Sequence, residues 1–503
     1  MDHVGSVRLA LDYIEGHLRE ELSAEDVAGA VHFSVSHFHS IFAKVTGCTL
    51  ADFVRRRRLA CAAYDLARSH RRILDIAMDY RFESQEVFTR AFQRVYGITP
   101  GALRQHGEFA TTLPHSGLYH SKDAVLEGVN EVSAAKAVGS PVRYMLENVP
   151  RVGFYNGGDQ CPEQIPFPSC LAACVRYMGD DYPWLPLEAH GARWRLNYAN
   201  VHILGASGMA FGLLWKTGWH INNTDLMMVA DPREIIRRAF ESVGYTYEVV
   251  PKTGRSDDTT FRAKIAESLR GGRPVLGFGV VGPPVCCLIT GYDEGGDVVL
   301  GWSYFQDDPE FNTGVTFEPA GYFRKPRWGR DTKALIIVRD KVQSAAAGER
   351  NRDTLRWALQ IIRTPKAFGR HSGLAAYPVW AKQVLRGESF PFGGEAAKRA
   401  HHEVHDAVAA VLAECRLRAA IFLRTMAEGE PAMRADLLAA ADLYTQEHDL
   451  LERLRELSGG GGNPEAFRQF ADPAVRKELA QLILQARDLD SQAAEQIEKA
   501  ITR

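Results

Sequence analysis

No uninterrupted apolar run in the 503-residue chain reaches the ~18 residues that a membrane-spanning helix needs, so no such span is expected. The first residues, Met1-Asp2-His3, run straight into an amphipathic pattern carrying acidic groups, which does not read as a signal peptide. Cysteine is scarce: there are 8, with no framework spacing and no C-x-x-C pair, which argues against a disulfide scaffold and against structural zinc. A charge excess of either sign is also missing. The 60 Lys and Arg against 62 Asp and Glu leave a net charge of -2, which by itself says nothing about nucleic acid. These absences leave a soluble, cytoplasmic protein as the expectation. What is present is ordinary for globular chains, 46% apolar and 24% charged, over a length that suits about three domains.

Residues 6–106, within a first domain of 1–107, read as helix after helix, with start signals at Ser23 (Asp26 three residues on), Ser34, Ser84 and Thr99-Pro100. A looser stretch over 108–145 reads as a linker. Residues 146–341 change character. Short apolar runs (Pro274 to Val281, Val285 to Gly291, Val298 to Trp302, Ala334 to Val338) alternate with helical patterns such as Asp231 to Val243 and Thr260 to Arg270, an α+β signature. A second linker is expected at 342–350. From 351 to 503 the chain is helical again, with a break at Gly459 to Gly462.

Within the first domain, a helix from Ala24 to Val31, a break at His32-Phe33 and a second helix from Ser34 form one unit. The plan repeats from Ile73, with a break at Arg81-Phe82 and a helix from Ser84. Two short helices joined by a tight turn make a helix-turn-helix, whose second helix can enter the major groove. The joining helix carries Arg55-Arg56-Arg57-Arg58, of which Arg56 and Arg57 are expected on phosphates, the alternative being a solvated face. The domain is otherwise close to neutral, with 14 Arg and Lys against 13 Asp and Glu through residue 107.

The pattern Ile73-x-x-Ile76-Ala77, Phe82-Glu83-Ser84-Gln85, Phe88-Thr89-Arg90-x-Phe92 and Tyr96-Gly97-Ile98-Thr99-Pro100 resembles the AraC/XylS regulators, nearest to their multidrug and superoxide-response branch. The resemblance implies that Ser36, His39 and Ser40 face bases from the first recognition helix, and Gln85, Glu86, Thr89 and Arg90 from the second. The chemistry agrees: Arg reads guanine bidentately, Gln reads adenine and Glu accepts from cytosine. An Arg90 that touches only phosphate is the alternative. The sequence departs from the family at its turns, where Gly is usual and His32 and Arg81 stand; a non-Gly residue at positive φ costs roughly 1 kcal/mol. The implied partners are a double-stranded DNA operator and RNA polymerase.

In the central domain, Gln164 stands six residues before Cys170, which opens an apolar helix. A thiol at a helix N-terminus is stabilised as thiolate, and a Gln can complete an oxyanion hole. The segment resembles the papain-like leader peptidases of bacteriocin exporters and the acyltransferase of butirosin biosynthesis. Those families pair the Cys with a His and an Asp or Asn on later strands. Here Val285 and Trp302 occupy those places, leaving the thiol without a base. His190, His202 and His220 lie elsewhere in the domain. Buried, inert Cys170 and Cys174 are the alternative. The domain also holds six of the 8 Trp. Aromatic side chains either fill a core or line a site for flat or cationic small molecules. The reading adopted is an effector site of Gln164, Cys170, Tyr177, Trp215, Trp219, Val285, Trp302 and Tyr304, with no catalytic residues.

The C-terminal helices show apolar spacing at Val408, Val411, Leu412 and Cys415. His401-His402-Glu403-Val404-His405 is not the H-E-x-x-H arrangement of zinc hydrolases, and a solvated polar face is expected there rather than a metal site. The segment Arg370 to Lys382, with Tyr377 and Trp380, is expected to serve as a lid or in a homodimer. The expected fold class is multidomain: an all-α double helix-turn-helix head, an α+β papain-like central domain and an all-α C-terminal region. The expected function is a transcription regulator of the activating kind that senses a small molecule and needs no cofactor. Two rivals are a cysteine acyltransferase or peptidase carrying a DNA-binding head, and a regulator whose central domain contacts RNA polymerase without a ligand.

Overall fold

The computed structural model describes residues 9–101 and 143–503, apart from 11–12, 15, 32, 47–48, 69–70, 97–98, 155–158, 190–191, 253–256, 309–310, 313, 343–346, 387–394 and 461–465. The expected linker at 108–145 lies almost entirely outside the described residues, as do His32, His190 and the centre of the linker expected at 342–350. The chain divides into two compact units, Met1–Pro141 with Thr253–Thr260, and Val142–Lys252 with Phe261–Arg503.

The first unit holds α1 (Ala24–Ala30), α2 (Val35–Thr46), α3 (Leu50–Arg68), α4 (Ile73–Asp79) and α5 (Gln85–Tyr96). Ser23 caps α1 as expected: its hydroxyl accepts from the Asp26 N–H at 3.1 Å, and Asp26 returns the bond to the Ser23 N–H at 3.0 Å. Ser84 Oγ accepts from the Val87 N–H at 3.2 Å at the start of α5. The unit has two cores rather than one, because each helix pair is too short to share a single one. Phe38, Phe42 and Phe53 anchor the first, and Phe82, Phe88 and Phe92 the second. The i, i+4 pairs stack alike, with centroids 5.3 Å apart for Phe38–Phe42 and 5.4 Å for Phe88–Phe92. Helix α3 contributes to both cores, which makes it the strut between them.

The larger unit is built on an eight-stranded antiparallel sheet in the order β5-β11-β6-β7-β8-β10-β9, with β1 paired to β7. Its strands are β1 (Tyr144–Met145), β5 (Tyr245–Pro251), β6 (Val275–Phe278), β7 (Cys286–Asp293), β8 (Val298–Trp302), β9 (Thr316–Phe317), β10 (Phe323–Pro326) and β11 (Ala334–Lys341). β7 and β8 are buried along nearly their whole length, as their unbroken apolar runs require. Helix α6 (Pro166–Tyr177) packs against β7, with α7 (Tyr198–Ser207) beside it. A hairpin of β2 (Trp184–Ala189) and β3 (Ala192–Asn197) stands apart, and β4 (Leu214–Trp215) joins the small strands β12 (Lys366–Ala367) and β13 (Arg370–Ser372). Two further helices flank the sheet: α8 (Pro232–Val243), capped by Asp231, and α9 (Asp257–Arg270), most of which belongs to this unit.

The C-terminal helices are α10 (Ala347–Arg363), α11 (Ala376–Arg386), α12 (Glu395–Gly429), α13 (Arg434–Leu457), α14 (Ala466–Ala471) and α15 (Pro473–Thr502). They do not form a core of their own apart from the sheet: one apolar cluster runs from Leu146 through the strands to Phe422, Tyr444 and Ile497. At its centre Arg416, Glu447 and Asp490 are all fully buried. Arg416 donates to Glu447 Oε2 at 3.0 Å, to Asp490 Oδ2 at 2.7 Å and to the Ala210 carbonyl at 2.8 Å. Tyr377 lies in the same network, its hydroxyl 2.6 Å from Glu447 Oε1. Tyr377 and Trp380, in the segment expected to serve as a lid or in a homodimer, are both fully buried.

The histidine segment is corrected too. It was expected to be solvated, but His405 is fully buried and His402 nearly so, against Phe470 at 4.7 and 5.6 Å. Trp380 Nε1 donates to His405 Nδ1 at 3.3 Å, and burial pushes the imidazole down to about 3, so the ring stays neutral. No helix among the described residues is long and apolar enough to cross a membrane.

Candidate nucleic-acid interface

In the first unit, helices α2 and α5 each bury one stripe and leave the opposite one outward, as a helix with apolar residues every three to four positions must. On α2 the buried side is Phe38, Ile41 and Phe42, while Ser36, His37 and His39 are exposed. On α5 it is Phe88 and Phe92, while Gln85, Glu86, Arg90 and Gln93 are exposed and Thr89 is half-buried. The expected base-facing residues therefore lie on the outward stripes of their helices, except for Ser40, whose side chain lies outside the described residues.

The joining helix behaves differently from expectation. Arg57 is only 4% exposed, with Nη2 3.9 Å from Cys61 Sγ, so its guanidinium is turned into the unit and away from any phosphate. Arg56 has its side chain outside the described residues. Arg55 is exposed, and Arg58 half-buried. Arg55, Arg58, Arg81 and Arg90 together line a cleft of about 540 Å³ whose wall carries one carboxylate, Glu83. Four arginines beside one carboxylate make the wall of this cleft cationic on an otherwise near-neutral unit. Arg90 is exposed at the edge of this cleft. The turn before α5 contains the anticipated departure: Arg81 sits at φ 61°, in the left-handed region.

The eight residues expected to form one effector site in the larger unit do not converge. Trp215 is fully buried, stacked on Trp380 at 5.3 Å and bonded through Nε1 to Gln383 Oε1 at 3.0 Å, in a second core with the C-terminal helices. Trp219 stacks on His401 at 5.0 Å in the same region. Trp302 packs at 4.2 Å on Tyr322 and donates Nε1 to the Val149 carbonyl at 3.2 Å, while Val285 and Tyr177 are half-buried. The aromatic density mainly covers other aromatics, which is why Trp215 and Trp219 are removed from that site.

Cys170 is fully buried, its thiol donating to the Cys286 carbonyl at 3.6 Å. Burial, with Cys286 and Glu163 nearby, pushes the thiol well above its ordinary value, the opposite of an activated nucleophile. His202 is held by the Ser242 carbonyl at 3.2 Å, and His220 lies in an exposed turn. Sequence reasoning missed the polar group around this helix start. Ser169 Oγ accepts from Asn200 at 3.0 Å, Asn200 accepts from Arg418 at 3.3 Å, and Arg418 pairs with Glu414 at 3.4 Å. Glu414 in turn accepts the Gln164 N–H at 2.7 Å, and burial raises it to about 7. Glu163, only 6% exposed, and Tyr304, also buried, complete the cluster.

A family model described as a helix-turn-helix domain matches residues 27–106. An HTH-type transcriptional regulator of Bacillus subtilis, YbfP, is 48% identical over 99 residues, covering 20% of this chain and 34% of that protein. The HTH-type transcriptional activator AarP of Providencia stuartii is 36% identical over 94 residues, covering 19% of this chain and 70% of that protein. A crystal structure of an AraC-type transcriptional regulator from Chromobacterium violaceum is similar at 23% identity and a TM-score of 0.20, covering 20% of this chain and 92% of that one. This chain spans 34 to 50% of the length of the first relatives that it matches.

Proposed function

Because this chain belongs, through its first unit, to the AraC-type helix-turn-helix regulators, we propose that it binds a double-stranded operator with α2 and α5 and activates transcription in the cytoplasm. The observation that carries this reading is the pairing of two outward polar stripes with the cationic cleft between α3 and α5. Phosphates bound in the cleft would fix the register while Gln85, Glu86 and Arg90 meet base edges. RNA polymerase is the partner an activator requires. Duplexes selected from a random pool by the full chain should carry two half-sites roughly one helical turn apart and give a two-segment footprint. A single short footprint on every selected duplex would overturn the two-helix reading.

The larger unit is proposed to carry the regulatory response to a small-molecule effector. What supports this is the cluster at the start of α6, where Gln164, Cys170 and Tyr304 meet the buried carboxyls of Glu163 and Glu414. An aromatic or cationic effector suits the cluster, because Tyr304 offers a ring and Glu163 and Glu414, raised by burial, can ionise against a bound cation. A cysteine acyltransferase or peptidase is not proposed, because the Cys170 thiol is buried and bonded to a carbonyl. An effector would raise the melting temperature by mass action and alter transcription only through unequal affinity for two states. A screen of organic amines against the full chain that finds neither a melting shift nor a change in transcription would overturn this part alone.

A further inference from the structure

We propose that Arg81 is a positioning residue that locks the two helix-turn-helix units together and so fixes the half-site spacing they accept; this rests on the DNA-binding reading above. The backbone at Arg81 occupies the left-handed region, where glycine would be unstrained and a side chain is not. That side chain crosses to the segment before α1, its Nε donating to the Arg19 carbonyl at 2.9 Å. From α3, Arg58 donates Nε to the Leu18 carbonyl at 2.8 Å and Nη2 to the Glu20 carbonyl at 2.7 Å. Three consecutive carbonyls before α1 are thus held by two guanidiniums, one from the strut helix α3 and one from the turn between α4 and α5.

The same loop reaches back. Arg19 Nη2 donates to Asp65 Oδ2 and to the Tyr80 hydroxyl, both at 2.9 Å, and that hydroxyl donates to Asp65 Oδ2 at 3.0 Å. The Arg19 guanidinium also lies 5.0 Å from the centre of the Tyr80 ring. Burial pushes the Tyr80 hydroxyl up to about 12, so it keeps its proton near neutral pH.

Displacing Arg81 displaces the recognition helix behind it. The next residue, Phe82, donates its N–H to the Ala77 carbonyl at 3.0 Å and packs its ring 5.1 Å from Phe88 on α5. The lock therefore sets where α5 stands relative to α2 without any of its bonds involving a base. Bonds between residues 62 positions apart in the chain, as Arg81 and Arg19 are, give the angle between the two helices a stiffness that α3 alone would not supply.

Arg81 also lines the cationic cleft, so a phosphate anchor is the competing role, and the two predict different readouts. The full chain is titrated with a selected operator and with versions lengthened or shortened by one base pair between the half-sites. The unsubstituted chain is expected to lose about tenfold or more in affinity on each altered duplex. Arg81→Gly is expected to bring the penalty on altered duplexes below about threefold whatever it does to the parent affinity. Asp65→Asn, which weakens the other half of the lock outside the cleft, is expected to do the same while keeping the parent affinity within about threefold and the original salt slope.

Arg81→Gly with undiminished spacing discrimination would overturn the proposal. Binding weakened equally on parent and altered duplexes, with a flatter salt slope, would overturn it as well, and would assign Arg81 to phosphate. If the unsubstituted chain selects no duplex, the DNA-binding reading itself fails, a result distinct from either.

Discussion

Four consecutive arginines on a helix cannot all face solvent at a packed joint, because residues advance by about 100° and a run of four sweeps most of the circumference. Arg57 is the one that turns inward, and the sequence holds the reason: it falls three and four places after Val54 and Phe53 and four before Cys61, on the apolar stripe. The phosphate role expected of Arg57 passes to Arg55, which is exposed in the cleft. Arg55→Ala should weaken selected and random duplexes alike and lower the salt slope by about one. Arg57→Ala should lower the melting temperature and leave that slope unchanged. Arg90→Ala should cost about 1–3 kcal/mol at a single operator position, measured by binding to single-base variants. Equal losses on specific and random DNA would instead place Arg90 on phosphate. The positive φ at Arg81 was legible from the resemblance of its turn to the AraC/XylS pattern, where Gly is usual, whereas the destination of its side chain was not. No local pattern reports a bond to a residue 62 positions away.

At the scale of elements, the strands that sequence foretold are those buried on both faces, because β6, β7, β8 and β11 are written as unbroken apolar runs. β10 escaped because Phe-Arg-Lys-Pro is too short and too charged to show alternation, although Phe323 is fully buried. The buried ion network escaped for a different reason. Arg416 lies one turn from Leu412 and from Ala420 on the buried stripe of α12, a place where a charge breaks the pattern. That break was a usable signal of a paired interior charge. Removing the guanidinium in Arg416→Ala would strand Glu447 and Asp490 and should cost about 3–5 kcal/mol in urea unfolding.

Buried carboxyls make stability depend on pH. Burial raises Glu447 to about 8 and Glu414 to about 7, so the folded state holds protons that the unfolded chain has released. Stability from both groups is complete below the ordinary carboxylate range and is lost as pH rises through their folded values. His401, His402 and His405 are lowered by burial and act in the opposite sense, but only below the ordinary imidazole range. Between about pH 6.5 and 8.5 the carboxyls act alone, and the melting temperature of the larger unit should fall across that window. Glu447→Gln should flatten the upper part and Glu414→Gln the lower; a flat profile in the unsubstituted chain would refute the assignment.

For the molecule as a whole, the sequence suggested three parts, whereas the described residues form two compact units. The composition shift near 342–350 is genuine, but it marks a change of secondary structure and not a domain boundary, since one apolar cluster passes from the sheet into α12, α13 and α15. The contact is close enough to depend on missing side chains. Gly205 on α7 lies against the Phe422 ring of α12, and a methyl group there would fall inside that ring. Helix propensity alone would make Gly205→Ala stabilising by about 1 kcal/mol. Overpacking against Phe422 should reverse the sign and cost about 1–3 kcal/mol. Adding Phe422→Leu should recover part of that loss, and the double-mutant cycle would measure the coupling of sheet-side and C-terminal helices directly. It follows that residues 143–503 expressed alone should unfold cooperatively, whereas 143–341 should not, because ending the chain there bares the face of α7 that packs on α12 and α10. A cooperative urea transition from 143–341 would restore the three-part organisation and would separate the effector unit from the helices that here share its core.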